Sequence, residues 1–179
     1  MTGMALVRYH KRAPWMQALG DAGFWLMPAA SITAAILLSL IYVPQAPTVA
    51  IHWPALVILY WACYRPRWQP AGLVFIFALL CDAMSGNPLL GITALIAVLI
   101  TTLLRKQNHL LLALPFWGVW MIVSVLMVSW RGTEAFVQGA LLGTWPTSLM
   151  WLGSAGVSAL AFPLVAMVLS PLRRAAFRF

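Results

Sequence analysis

Six long apolar segments, separated by short connecting segments, limit what this chain can fold into. The chain is 63% hydrophobic and 8% charged, whereas a soluble domain contains about 25% charged residues. A soluble fold of 179 residues could not bury this much apolar surface, so the sequence predicts an integral membrane protein. We place the six segments at about 24–43, 50–64, 70–85, 88–104, 110–130 and 146–170.

The length and pattern of the segments indicate transmembrane helices. Each approaches the ~20 residues that a helix needs to cross an apolar core of ~30 Å. None shows the alternation of polar and apolar residues that is typical of barrel strands. The sequence therefore predicts an all-α polytopic membrane protein with six transmembrane helices in a single domain, 1–179. We interpret the first segment as a retained helix and not as a cleaved signal peptide.

The basic residues predict how this bundle is oriented. Ten of the eleven Lys and Arg residues lie in the connecting segments of one side, and Arg131 lies on the other. Cytoplasmic loops contain the excess of Lys and Arg, so both termini are predicted to be cytoplasmic. The net charge of +8 then indicates topology and contact with anionic lipid, and not binding to nucleic acid. Residues expected near the lipid headgroups include Arg65, Arg67, Arg105 and Lys106.

The stretch "ALLCDAMSGNPLLG" (78–91) contains Asp82, one of only three acidic residues. A carboxylate near the end of the third helix is unfavourable in lipid and faces the negative end of the helix dipole. Gly86 can end that helix, and Asn87 and Pro88 can begin the next one. We therefore predict a tight hairpin on the outer side. Asp82 there reaches solvent, organises the turn by accepting hydrogen bonds from the fourth helix, or binds a partner.

Small residues at four-residue spacing predict close helix packing, either within this protein or with a partner. These residues are Ser31, Ala35 and Ser39 in the first helix and Ser154 and Ser158 in the last.

Catalytic and metal-binding patterns are absent from the sequence. There is no P-loop, no G-x-S-x-G and no H-E-x-x-H motif. Asp82 and Glu134 are the nearest approach to a carboxylate pair, but nothing in the sequence places them together. We therefore predict a protein that is not an enzyme and that has no metal or cofactor. No metal-ligand spacing connects the histidines and cysteines, which are His10, His52, His109, Cys63 and Cys81.

Three stretches resemble the MreD family of bacterial rod-shape proteins. They are "HWPALVILYW" (52–61), "CDAMSGNPLLG" (81–91) and "FPLVAMVLSPLRR" (162–174). The resemblance implies a non-enzymatic scaffold of the elongation complex in the bacterial cytoplasmic (inner) membrane. It also implies a fold similar to the substrate-binding components of energy-coupling-factor transporters, with a groove on the outer side near Asp82.

The resemblance further implies which partners and residues are involved. Expected partners are an MreC-like bitopic protein, a RodA-type glycosyltransferase and a class B penicillin-binding protein, with RodZ and MreB contacted indirectly. The outer faces of helices two to four would bind the bitopic partner or organise the hairpin. The candidate residues there are His52, Trp53, Asp82, Gly86, Pro88 and Gly91.

A vitamin transporter is the alternative function. A substrate-binding subunit of an energy-coupling-factor transporter would also have six short helices, few charges and small residues on its first helix. Such a subunit needs several polar groups that converge on a ligand. The outer connecting segments offer few such groups, so we favour the scaffold.

Overall fold

The computed structural model describes residues 14–41, 51–85, 89–143, 145 and 150–175. Over these residues every element is helical, and no strand is present. The predicted all-α class is confirmed. The helices are α1 Pro14–Ile41, α2 Trp53–Tyr64, α3 Ala71–Met84, α4 Ile92–Lys106, α5 Asn108–Ala113, α6 Phe116–Leu142 and α7 Met150–Ala175, with a 3₁₀ turn at Pro66–Trp68 between α2 and α3.

The first helix begins earlier than predicted. The apolar segment was expected to start near residue 24, but α1 begins at Pro14. Hydropathy marks only the apolar part of a helix, so it misses turns that contain polar residues. Proline is also well tolerated at a first helical position, where its missing N–H is not needed.

The predicted fifth segment, 110–130, does not coincide with a single helix of the structure. It is divided at Pro115, and α6 then continues to Leu142 through the stretch that we expected to be an outer connection. Leu114 has an extended backbone (ψ 144°), as proline imposes on the residue before it. Beyond residue 130 the helix includes Arg131 and Glu134, which lie one turn apart and form an ion pair at 2.7 Å that helps to stabilise it.

The helix α2 forms the centre of the bundle. Its residues from Pro54 to Cys63 are all buried, and it contacts α1, α3, α4, α5 and α7. A helix that is apolar on every side has to be surrounded by other helices. The indole of Trp61 is fully buried, and its Nε1 donates a hydrogen bond to Ser31 Oγ of α1 at 2.8 Å.

The two ends of the bundle differ in charge. One end contains Asp82 at the end of α3 and Glu134 in α6, and we call it the carboxylate end. The opposite end contains Arg65, Arg105 and Arg173, and we call it the arginine end. There the guanidinium of Arg105 donates a hydrogen bond to the Gln69 carbonyl at 2.6 Å.

The outer surface of the bundle is rich in exposed Leu, Val, Met and Phe side chains. Within the described residues, the stretch Trp151–Arg173 is long and apolar enough to cross a membrane. The apolar stretches Leu26–Leu40, Trp53–Tyr64 and Ala71–Met84 are shorter. The six predicted spans therefore stay a prediction.

Two prolines lie inside α7, and other side chains compensate for the hydrogen bonds that they remove. Pro163 cannot donate to the Ala159 carbonyl four residues earlier, and Trp120 Nε1 of α6 donates to it instead at 2.8 Å. Pro171 likewise leaves the Met167 carbonyl without its helical donor, and Ser170 Oγ donates to it at 3.2 Å. The Trp120 contact also joins α6 to α7.

We expect Trp120→Phe to lower the free energy of unfolding by about 1 kcal/mol, because the Ala159 carbonyl loses its donor. In a Pro163→Ala background the helix regains an N–H for this carbonyl, so the same substitution should cost less. Reversible unfolding in detergent measures both effects. Trp117→Phe, on an exposed side chain of the same helix, is the control. An equal loss in both backgrounds would contradict the compensation.

Candidate functional site

The Asp82 carboxylate connects the end of α3 to the start of α4. Its side chain is 3% exposed, and Oδ2 accepts a hydrogen bond from the Gly91 N–H at 2.9 Å. Gly91 immediately precedes α4 and has φ +95°, a backbone conformation that favours glycine. The positive end of the α4 dipole favours a carboxylate at this position. This interaction offsets the unfavourable position of Asp82 at the end of α3.

The Glu134 carboxylate is surrounded by hydrogen-bond donors from two helices. It is 4% exposed. Its Oε1 accepts from Thr93 Oγ1 of α4 at 3.0 Å and from Trp130 Nε1 at 2.7 Å. Its Oε2 accepts from an Arg131 guanidinium nitrogen at 2.7 Å. A buried carboxylate without partners is strongly unfavourable, so these donors are what allows Glu134 to lie inside the bundle.

Two serines extend this network into α7. Arg131 Nε donates to Ser154 Oγ at 3.2 Å, and Ser154 in turn donates to the Trp151 carbonyl at 2.9 Å. One helical turn further, Ser158 Oγ accepts the backbone N–H of His52 at 3.1 Å. This bond satisfies an N–H that precedes α2 and has no partner within that helix.

The His52 imidazole lies in the electrostatic field of Glu134, Arg131 and Asp82. Its Nδ1 is buried and has no hydrogen-bond partner among the described residues. The polar side chains of this end therefore form one group, which we call the carboxylate cluster and which consists of His52, Asp82, Thr93, Arg131, Glu134, Ser154 and Ser158.

The structure brings together some of the residues that the resemblance suggested. Asp82 and Gly91 are in contact, and His52 lies near Asp82. Trp53 instead lines an apolar groove between α1, α2 and α7. Gly86 and Pro88 lie outside the described residues.

The small residues predicted to pack helices have different environments. Ser31 accepts the Trp61 indole N–H, and Ala35 is buried in the core. Ser39 donates to the Ile36 carbonyl of its own helix. Ser154 and Ser158 are buried and bond to Arg131 and to the His52 backbone.

Sequence reasoning missed the position of Glu134 and its donors. The predicted fifth helix ends at residue 130, so it does not place Trp130, Arg131 and Glu134 on one helix. In a helix these residues, three and four apart, share one face. Polar residues at that spacing within an apolar segment were the signal that could have identified the network.

The arrangement of the carboxylate cluster favours a structural use of its charges. Both carboxylates accept hydrogen bonds from groups of this chain. Over the residues that the structure describes, no group of three or more His, Cys, Asp or Glu side chains could hold a metal ion. The cluster thus connects α2, α3, α4, α6 and α7 at one end of the bundle.

Comparison with known protein families shows which family this chain belongs to. The model of a family described as rod shape-determining protein MreD matches residues 21–168, which include the whole carboxylate cluster. The chain belongs to the MreD family. The resemblance noted from the sequence is confirmed. MreD-family proteins are membrane proteins that take part in determining rod shape, and they are associated with the MreC and MreB shape complex. No curated protein and no solved structure shows a significant match to the chain.

In this MreD-family chain we expect Asp82→Asn to be mild and Asp82→Leu to be harmful. Asparagine keeps an oxygen that can accept the Gly91 N–H, whereas leucine leaves that part-buried donor without this partner, at a cost of about 1–3 kcal/mol. Membrane protein level and unfolding temperature measure the difference. Ala83→Leu, which adds the same side chain at the exposed neighbouring position, is the matched control.

The same two variants separate the organising role of Asp82 from direct binding of a partner. If Asp82 holds a partner's donor through its charge, Asp82→Asn should abolish complex formation at a normal protein level. Wild-type behaviour of both variants would exclude both roles.

We expect Glu134→Leu to lower the free energy of unfolding by about 1–3 kcal/mol, because the part-buried Arg131 guanidinium and the Thr93 and Trp130 donors then lose their acceptor. Adding Arg131→Met should recover part of this loss, since the unpaired guanidinium is removed as well. Unfolding in detergent provides the double-mutant cycle, and Thr133→Leu at an exposed neighbouring position is the control. Additive losses would show that Arg131 and Glu134 do not stabilise the bundle as a pair.

Proposed function

We propose that this chain is a non-enzymatic membrane scaffold of the bacterial elongation complex. It links an MreC-like bitopic protein to a RodA-type glycosyltransferase and a class B penicillin-binding protein, with RodZ and MreB contacted indirectly. Membership of the MreD family is the observation on which this proposal depends. The internal hydrogen bonds of both carboxylates support it, because they favour a structural role for the cluster over catalysis.

The proposed topology is six spans in the inner membrane with both termini in the cytoplasm. In this arrangement the arginine end faces the cytoplasm, where Lys and Arg residues are enriched. The carboxylate end then faces outward. Arg131, the basic residue on the outer side, is paired with Glu134 and so adds no unpaired charge there.

The proposed partner-binding surface is the hairpin between α3 and α4. Asp82 is buried beneath this turn, while Met84 and Leu90 beside it are exposed. Met84 ends α3 and Leu90 precedes α4, so both apolar side chains are available to an apolar segment of another protein. Asp82 and Gly91 would thus position the surface, and Met84 and Leu90 would contact the membrane-spanning segment of the bitopic partner.

Purification of the tagged chain from its native membrane in a mild detergent, followed by mass spectrometry, tests the scaffold. We expect an MreC-like protein, a RodA-type glycosyltransferase or a class B penicillin-binding protein to be recovered. Recovery of paired ATPases with a large coupling subunit would instead identify the chain as a component of a vitamin transporter.

A photo-crosslinking amino acid at Leu90 tests the proposed surface within the same experiment. Leu90 is 65% exposed, and Leu103, at the other end of α4, is 52% exposed. The crosslinker should capture the bitopic partner from position 90 and not from position 103. Capture from position 103 alone would move the interface to the arginine end.

A further inference from the structure

A groove with a charged end lies between α2, the α5–α6 turn and α7 at the arginine end. Its volume is about 460 Å³, which is within the usual range of small-molecule sites. Most of its wall is apolar. Tyr64, Ser170 and Arg173 are the polar residues toward the end of α7, and the buried Tyr60 of α2 also lines the wall. The apolar part is formed by Leu114, Phe116, Pro163, Ala166 and Met167.

The groove exists because α7 continues past the start of α6. Phe116, the first residue of α6, stacks on Phe162 of α7 with ring centroids 6.4 Å apart. The residues of α7 after Phe162 therefore continue past the start of α6, and the groove opens there between α7, α2 and the α5–α6 turn. Pro115 determines this position, because it separates α5 from α6.

The dimensions of the groove match one leaflet of a bilayer. The groove residues of α7 run from Pro163 to Arg173 on one face of the helix. Ten residues of helix rise ~15 Å, which is about half of a ~30 Å hydrocarbon core. An apolar groove of this length with a cation at one end is complementary to a lipid, with its acyl chain along the wall and its headgroup at Arg173.

Charge at this end favours an anionic headgroup. The Arg173 guanidinium lies 4.8 Å from the centroid of the Tyr64 ring. In the described part of the chain, the one ion pair joins Arg131 to Glu134 at the other end, so no acidic side chain there pairs with Arg173. Partial burial and then the positive charge of Arg173 lower the pKa of Arg65, so two cationic groups lie near each other. An anion beside them would relieve their repulsion.

We propose that this groove is a binding site for one anionic phospholipid, with the phosphate at Arg173 and an acyl chain against Ala166 and Met167. The site differs from general attraction of basic residues to a charged membrane surface, because it combines a cation with an apolar groove of defined length. This site requires that the chain lies in a bilayer, but it does not require any of the protein partners proposed above.

Native mass spectrometry of the purified full-length protein, titrated with phosphatidylglycerol or phosphatidylethanolamine, tests this site. We expect phosphatidylglycerol to bind with a stoichiometry of one and more tightly than phosphatidylethanolamine. Arg173→Gln should weaken its binding about tenfold, because a charge-assisted contact with the phosphate is lost. Ala166→Leu, which keeps the charge but fills the groove, should weaken it to a similar extent.

Lys106→Gln is the matched control, because Lys106 is an exposed cation at the arginine end outside the groove. It should change binding less than about twofold. An equal loss in Lys106→Gln and Arg173→Gln, or unchanged binding in Arg173→Gln, would overturn the proposal. So would competition by soluble glycerol phosphate at the concentration of the lipid, since the site would then bind a free phosphate. Unfolding temperatures identify any variant that is not folded. If Ala166→Leu is not folded, the result for Arg173→Gln, a substitution at a partly exposed position, decides the test alone.

Discussion

The start of α2 is the constraint around which the carboxylate end is built. This central helix has 12 residues and rises about 18 Å, so it is shorter than a ~30 Å hydrocarbon core. The first N–H groups of any helix have no partner within that helix, so those at the beginning of α2 need partners from elsewhere. Pro54 has no N–H, and Ser158 of α7 accepts the N–H of His52. Ser158 belongs to the same cluster as the two carboxylates, so the start of α2 lies at the level of the bundle where the charged groups are buried.

Each buried charge at this end is balanced within the chain by a different means. Asp82 uses the positive end of the α4 dipole through the Gly91 N–H, whereas Glu134 uses an ion pair and two neutral donors. The two solutions involve different helices, so α3, α4, α6 and α7 are all fixed relative to one another. Trp120 likewise balances a polar group within the chain, because its indole N–H donates to the Ala159 carbonyl that Pro163 leaves without a helical donor. Polar groups therefore specify the arrangement of helices that apolar packing alone would leave less well defined.

The sequence predicted the fold class, the family and the position of three middle helices to within four residues, because hydropathy and proline positions directly reflect burial and helix starts. It did not predict that α6 continues to Leu142, because Arg131 and Glu134 look like loop residues until they are seen as a pair. It also could not place Glu134 near His52, since contacts between distant helices depend on packing angles that composition does not encode. The contact that Asp82 makes at the start of α4 was easier to predict from the sequence, because its donor, the Gly91 N–H, lies only nine residues away.

The two ends of the bundle also differ in how far their charges are balanced within the chain. The chain contains eleven Lys and Arg residues but only three Asp and Glu residues. Two of those carboxylates, Asp82 and Glu134, are engaged at the carboxylate end, where Arg131 is neutralised by Glu134. The arginine end has a surplus of cations, which suits it to contact with anions outside the chain, and in a membrane these are lipid phosphates or acidic groups of other proteins. The carboxylate end, whose two carboxylates are balanced inside the chain, can present a rigid apolar surface, whereas the arginine end is suited to contact lipid phosphates.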